Sequence, residues 1–305
     1  MPELPEVETV RRRLLTCLPG LVVRDVRVND ARVCDLPEDK LRATIAGRRV
    51  AGLRRRGKYL LIDLAAEDGA RRGRLFIVHL RMTGQLLFRP EPGTRPARFV
   101  LFLEPATELH FSDMRRFGRL WSLEPAEEEA FFAAMGPEPF SDAFSVVYLR
   151  ETLAGRRAPL KAFLLDQRRI AGVGNIYADE ALFRARLHPL RAAGSVGPRE
   201  ALRLHAAVLE TLQAGIDHEG SSIESFIDPA GERGSFQEIL NVYQRTGEPC
   251  HVCGTAIERV VVGGRGTHYC PRCQRRRGGI APTVRRLRPT GPVGKRTARG
   301  APPPV

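Results

Sequence analysis

The first apolar pattern in the chain is helical. Val7, Val10, Leu14 and Leu18 recur at three- and four-residue intervals, and Pro19-Gly20 ends the run. Pro2 and Pro5 suit the start of this helix, and Glu6 and Glu8 suit its positive end. The pattern then changes to short β-like runs over Leu21–Val28, Arg49–Leu64, Arg74–Leu80, Phe99–Leu103, Glu108–Phe111 and Leu120–Leu123. Gly, Pro and charged turns separate them, which predicts a sandwich or barrel. Gly136-Pro137-Glu138-Pro139 breaks the series and sets a boundary between residues 136 and 137.

From Val147 the apolar spacing is helical again, with helices expected over Ala158–Asp166, Ile176–Ala185 and Arg199–Ile216. The first two flank Gly172-Val173-Gly174-Asn175, the skeleton of a helix-turn-helix unit. Those glycines leave N–H groups open near a helix start, where a phosphate binds readily. Gly220 to Gly234 is rich in Gly, Ser and Asp and reads as a flexible loop. The fold class is therefore α+β. Residues 1–136 form a β-rich domain, 137–241 a helical one with the loop near 220–236, and 242–280 a small cysteine module. The tail 281–305 is basic, rich in Pro and Gly, and reads as disordered.

Composition changes this picture in two ways. Lys and Arg number 49 against 35 Asp and Glu, a net charge of +14 spread through the chain, which points to a polyanionic partner. No apolar run reaches the ~20 residues of a membrane span, and no charged-then-apolar export signal opens the sequence, so a cytoplasmic location is expected. Four of the six cysteines, Cys250, Cys253, Cys270 and Cys273, are spaced C-x2-C-x16-C-x2-C. That spacing suits one structural zinc ion held by four thiolates, with no open position for chemistry. Cys17 reads as core, and Cys34 suggests no chemistry.

Pro2 carries the sharpest chemical possibility. Without Met1 its nitrogen is a free secondary amine, a nucleophile able to form an iminium with a sugar C1′. Such an amine titrates near pH ~8, so much of it is neutral and reactive. Glu3 and Glu6 lie beside it as acid or base. Read alone, the same residues only start a helix. Lys58 follows a glycine at a β-run, where it either holds a phosphate or belongs to a solvated basic face. Met82, in His79-Leu80-Arg81-Met82-Thr83-Gly84, is either core or an apolar wedge between bases. Asp113-Met114-Arg115-Arg116-Phe117-Gly118 mixes Arg and an aromatic in one turn, which suits stacking and base-edge contact.

Together with the N-terminal Met1-Pro2-Glu3-Leu4-Pro5-Glu6-Val7-Glu8, these motifs and the cysteine module occur in an order that closely resembles bacterial formamidopyrimidine-DNA glycosylases. The resemblance spans Met1 to about Gln274. It implies an N-terminal β-sandwich with flanking helices, a helix–two-turn–helix domain and a zinc finger. It further implies a monomer that binds double-stranded DNA, flips out and excises oxidised purines, and cuts the strand by β,δ-elimination. By motif, Pro2 is the nucleophile, Glu3 the acid/base that assists sugar-ring opening, and Glu6 its support. Lys58 holds a phosphate and donates a proton, and Arg265 grips phosphates and aids δ-elimination. Met82, Arg115 and Phe117 fill the gap left by the flipped base, while Arg157, Lys161 and Asn175 bind phosphates. Ser221 and Ser222 belong to the loop that caps the extruded base.

Three positions depart from the family pattern. Arg81 replaces its usual glycine, Met114 its usual proline, and Gly220-Ser221-Ser222-Ile223 its Gly-Gly-Thr-Thr. Two rival readings stay open. One is an endonuclease VIII-like glycosylase for oxidised pyrimidines. The other is a zinc-finger DNA-binding protein without catalysis.

Overall fold

A computed structural model of the chain describes residues 1–66, 72–91 and 94–276. The tail 281–305 and the last residues of the cysteine module lie outside them. Helix α1 (Leu4–Leu15) is followed by strand β1 (Val22–Val28), helix α2 (Glu38–Ile45) and strands β2 (Val50–Arg56), β3 (Tyr59–Ala65), β4 (Arg72–His79), β5 (Gly84–Phe88), β6 (Ala97–Glu104), β7 (Thr107–Asp113) and β8 (Arg119–Leu123). The strands form two four-stranded antiparallel sheets, ordered β1-β6-β7-β5 and β2-β3-β4-β8. Val26, Leu53, Ile62, Phe76, Val78, Phe99, Leu101 and Phe111 meet between them in one buried core. Burying such side chains is the main driving force for closing the sandwich.

The expected run Arg49–Leu64 is two strands rather than one. Arg56 pairs with Tyr59, so Gly57-Lys58 is a two-residue hairpin turn. Gly57 takes φ +57° at the first central position, where such turns call for glycine. Strand β5 and helix α2 escape the period test. Four of the five β5 residues are buried, so no alternation shows, and α2 buries only Leu41 and Ile45.

The second half holds short helix α3 (Glu128–Phe132), then α4 (Val146–Leu153), α5 (Leu160–Leu165), α6 (Asn175–Arg184) and α7 (Pro198–Asp217), and the hairpin β9 (Glu258–Val262) and β10 (Arg265–Tyr269). The boundary segment is a tied strap. Gly136 N–H donates to Gln167 O at 2.9 Å, and Ala171 N–H to Pro137 O at 3.0 Å. Helix α1 joins the two halves. Leu4 is buried in the helical core, whereas Val7, Val10 and Leu14 are buried in the sandwich core. Its N-terminus therefore sits at the junction. Cys17 packs partly buried against the sandwich core, as its place in the pattern suggests. No helix among the described residues is long and apolar enough to cross a membrane.

Candidate active site

The junction encloses a cavity of about 390 Å³ whose lining includes Pro2, Glu3, Lys58, Asn175, Ser221 and Arg265. These come from the start of α1, the β2–β3 turn, the start of α6, the loop after α7 and the tip of the finger hairpin. Glu6 and Glu3 stand at the first turn of α1. Glu6 Oε2 accepts the Glu3 N–H at 2.7 Å, the returning half of a capping box. The Glu3 carboxylate turns away from its own helix. Its Oε1 accepts the Ile176 N–H at 3.0 Å, while Oε2 is buried without a partner.

This contact changes the reading of the glycine turn. A side chain at Gly174 would collide with the Glu3 carboxylate, and one at Gly172 (φ +85°) would collide with Leu4. The N–H at the start of α6 holds Glu3 rather than waiting for a phosphate. Glu6 Oε1 is equally engaged, accepting the Tyr177 hydroxyl and the Ser221 N–H, each at 2.7 Å. Tyr177 is fully buried, and sequence reasoning assigns it no role.

Burial pushes the Glu3 carboxyl above the usual carboxylate range. Nearby Lys58 opposes that rise, and Glu6 reinforces it. Burial also pushes the Lys58 ammonium down, against the pull of Glu3 and Glu6, with Arg265 adding to the fall. A carboxyl that holds its proton more tightly than usual and an amine that holds its proton less tightly suit a proton-transfer site.

His79 stacks edge-on against Tyr59 at 4.5 Å and accepts the Arg81 N–H at 3.0 Å. Burial, with Arg81 and Lys58 nearby, lowers its pKa to about 3. Below pH ~6.5 the unfolded chain takes up a proton that the folded chain refuses. Stability should therefore fall as pH drops from about 6.5 towards 3, by about 2 kcal/mol between pH 6.5 and 5. Urea unfolding followed by the single tryptophan, Trp121 on β8, measures this loss. His79→Gln should flatten the slope, and an unchanged slope would contradict the assignment.

The DNA-facing candidates separate into groups. Arg115, Phe117, Arg157 and Arg265 are exposed, and Met82 is half-buried beside the cavity. Met114 and Phe117 are among the most exposed large apolar side chains described. Arg81 takes φ +54°, the left-handed region that suits the family's usual glycine. Asn175 is half-buried, and its amide donates to Gly266 O at 3.1 Å while Oδ1 is unpartnered.

Lys161 lies beneath the finger hairpin rather than at the surface. Its side chain is fully buried, its Nζ lies 2.7 Å from Asp179 Oδ1, and it donates to Gly266 O at 3.0 Å. An enclosed ammonium paired in this way braces the finger hairpin. Asp179 Oδ2 accepts the His268 N–H at 2.9 Å, so the same helix that seats Glu3 also sets the strand bearing Arg265.

The loop after α7 is likewise not free. Ser222 Oγ donates to Phe226 O at 2.8 Å and accepts the Gly234 N–H at 3.0 Å. Arg13 pairs with Asp228 at 2.8 Å and with Glu219 at 2.9 Å. Of the two serines, Ser222 has its hydroxyl occupied inside the loop, whereas Ser221 Oγ is buried, unpartnered and beside the cavity.

In the finger, the four cysteine Sγ atoms lie within 4.8 Å of one another. Cys250 and Cys273 are 3.9 Å apart, and Cys253 and Cys270 are 3.5 Å apart. Zinc–thiolate bonds of about 2.3 Å in a tetrahedron require sulfur separations of about 3.8 Å, so the residues fit one zinc ion. Chelating that zinc should release the finger and with it Arg265, lowering duplex affinity until zinc is restored. Undiminished affinity after verified metal loss would contradict this.

Three family models match in chain order. They are the formamidopyrimidine-DNA glycosylase N-terminal domain over residues 1–120, the H2TH domain of the same enzymes over 135–227, and a zinc finger found in FPG and IleRS over 247–276. A formamidopyrimidine-DNA glycosylase of Pelotomaculum thermopropionicum is 44% identical over 280 residues, covering 90% of this chain and 99% of the relative. The MutM (Fpg) crystal structure from Thermus thermophilus matches with a TM-score of 0.79 at 45% identity, covering 90% and 98% of the two chains. A Lactococcus lactis Fpg complexed with DNA containing an abasic site matches with a TM-score of 0.82 at 33% identity, covering 90% and 100%. With its three domains matched in order and near-complete coverage of its relatives, this chain belongs to the formamidopyrimidine-DNA glycosylase family.

Proposed function

We propose that Pro2, as a free amine, is the nucleophile of a combined base-excision and strand-cutting reaction on oxidised purines. Family membership makes the chain a DNA glycosylase of base excision repair. The observation that carries the finer reading is the meeting of Pro2, Glu3, Lys58 and Arg265 on one cavity. A base inside a duplex must first be flipped out, at a cost of a few kcal/mol that inserted side chains offset.

The Pro2 lone pair attacks C1′ of the flipped nucleotide, the base leaves with the electron pair of its bond to C1′, and the proton lost from the Pro2 nitrogen passes to the departing base. Protonated Glu3 gives its proton to the ring oxygen of the sugar, the ring opens, and an iminium forms between Pro2 and C1′. The iminium acidifies the C2′ hydrogen. Glu3, now ionised, takes that proton, the electron pair left on C2′ expels the 3′ phosphate, and Lys58, in contact with that phosphate, supplies it a proton. A second elimination expels the 5′ phosphate, whose charge Arg265 balances. Water then releases the sugar remnant and restores the amine. Glu6 holds Glu3 and the capping loop in register, and Ser221 faces the extruded base. Phosphate contacts by Lys and Arg give most of the affinity, so binding falls steeply with salt.

An 8-oxoguanine·cytosine duplex tests the reading. The expected product is a one-nucleotide gap with phosphate on both ends. No cutting of an abasic duplex would leave only a binding protein. Preference for thymine glycol over 8-oxoguanine would favour the pyrimidine-directed rival.

A further inference from the structure

We infer that Asp113, together with Thr83, locks the two DNA-facing loops into one preformed wedge. This rests on the reading that Met82, Arg115 and Phe117 enter the duplex. Asp113 ends β7, pairs with Gly84 in the sheet and is only 2% exposed. Its Oδ1 accepts the Thr83 hydroxyl and, at 3.1 Å, the Arg115 N–H. Its Oδ2 accepts the Gly118 N–H at 2.6 Å. Thr83 Oγ1 in turn accepts the Arg115 N–H at 3.0 Å.

Thr83 follows Met82, and Gly118 closes the turn that carries Arg115 and Phe117. One buried carboxylate thus reaches the root of one loop and both ends of the other. The loops need such a clamp. Arg81 (φ +54°) and Arg116 (φ +59°) both hold left-handed backbone, which a residue with a side chain keeps only when its surroundings enforce it. Gly118 is seated so closely on Phe111 that a side chain there would collide with the ring. The Arg115 guanidinium already lies 5.0 Å over the Phe117 ring.

A wedge ordered before it meets DNA avoids the ordering cost at binding. Asp113 is outside the cavity lining, so it acts as a positioning residue rather than a catalytic one. An amide at this position has one acceptor oxygen and cannot serve donors on both sides of the carboxylate.

The test uses Asp113→Asn, Thr83→Val, Thr83→Ser and Arg115→Ala in the full chain. kcat/KM is measured on duplexes with 8-oxoguanine opposite C and opposite A. Borohydride trapping is measured on a single-stranded abasic oligonucleotide, which has no pair to wedge open. Asp113→Asn and Thr83→Val should lose about 10- to 100-fold on the duplex opposite C. Their preference for C over A should shrink as it does in Arg115→Ala, Thr83→Ser should stay within about twofold of the parent, and single-strand trapping should be unchanged. If Asp113→Asn keeps the preference while Arg115→Ala loses it, the clamp is wrong and the wedge stands. If Arg115→Ala also keeps it, the wedge reading falls and takes the clamp with it. If single-strand trapping by Asp113→Asn falls as far as duplex activity, Asp113 only supports the fold, and the inference is overturned.

Discussion

Protein that keeps Met1 should bind abasic and lesion-containing duplexes within a few-fold of the processed protein, yet fail to cut them. Behind Met1 the Pro2 nitrogen is an amide, whose lone pair is delocalised into the carbonyl and cannot attack C1′. In the proposed reading binding rests on other groups, namely Arg115, Phe117, Arg157, Asn175 and Arg265, and all of these remain. The Met1 ammonium lies 3.5 Å from Glu224 on the capping loop, and Met1 itself lines the cavity. Retained Met1 therefore also occupies the mouth of the site. A residue fused before Met1 should have the same effect. Loss of cutting should be on the order of a thousandfold or more, as when an enzyme loses its nucleophile. Salt-dependent affinity and strand cutting, measured on the same preparation after mass analysis of its N-terminus, check this. Full cutting by uniformly blocked protein would remove Pro2 from the mechanism.

Glu3→Gln should lower excision of 8-oxoguanine by about 10²–10⁴-fold, the usual contribution of a positioned acid or base. The fold should survive, for a physical reason visible at the site. Glutamine retains an oxygen able to accept the Ile176 N–H, and its size matches the space left by Gly174. Burial raises the Glu3 pKa, so ionised Glu3 is unfavourable in the folded protein, and its stabilising share is lost as pH rises through that raised value. At pH values above that raised pKa, the glutamine variant should therefore be as stable as the parent or slightly more so. Activity and stability move in opposite directions, which a general packing defect would not produce. Thermal unfolding beside single-turnover excision measures both. Retained excision, or a destabilised variant, would contradict the role given to Glu3.

The parts of this site that lie in short motifs are legible in the amino-acid sequence itself. The cysteine spacing, the N-terminal Pro-Glu pair and the Gly-Lys turn each need residues close together in the chain. The helical period of α7 is equally clear, because it buries one apolar stripe, and in α1 the spacing of Val7, Val10 and Leu14 shows it although Leu4 to Val10 are all buried. What stays hidden is non-local. The partner of Glu3 is the Ile176 N–H, 173 residues away, so the glycine turn reads as a phosphate cradle. The burial of Lys161 is hidden because nothing nearby in sequence marks Asp179 as its partner. The loop from Gly220 to Gly234 has the composition of a flexible segment. Asp228, Ser222 and Arg13 nevertheless stitch it closed through contacts that composition does not reveal. Strand β5 shows no alternation because Gln85 and Leu87 on its outer face are buried too, with the Gln85 amide donating to Ser225 O of that same loop.

The central claim is that the Pro2 nitrogen forms the covalent bond to DNA. Borohydride reduction during reaction with an abasic duplex should trap a single protein–DNA adduct. Digestion and mass mapping should place it on the peptide that begins at Pro2. An adduct on Lys58, or undiminished strand cutting with no adduct at Pro2, would contradict the account.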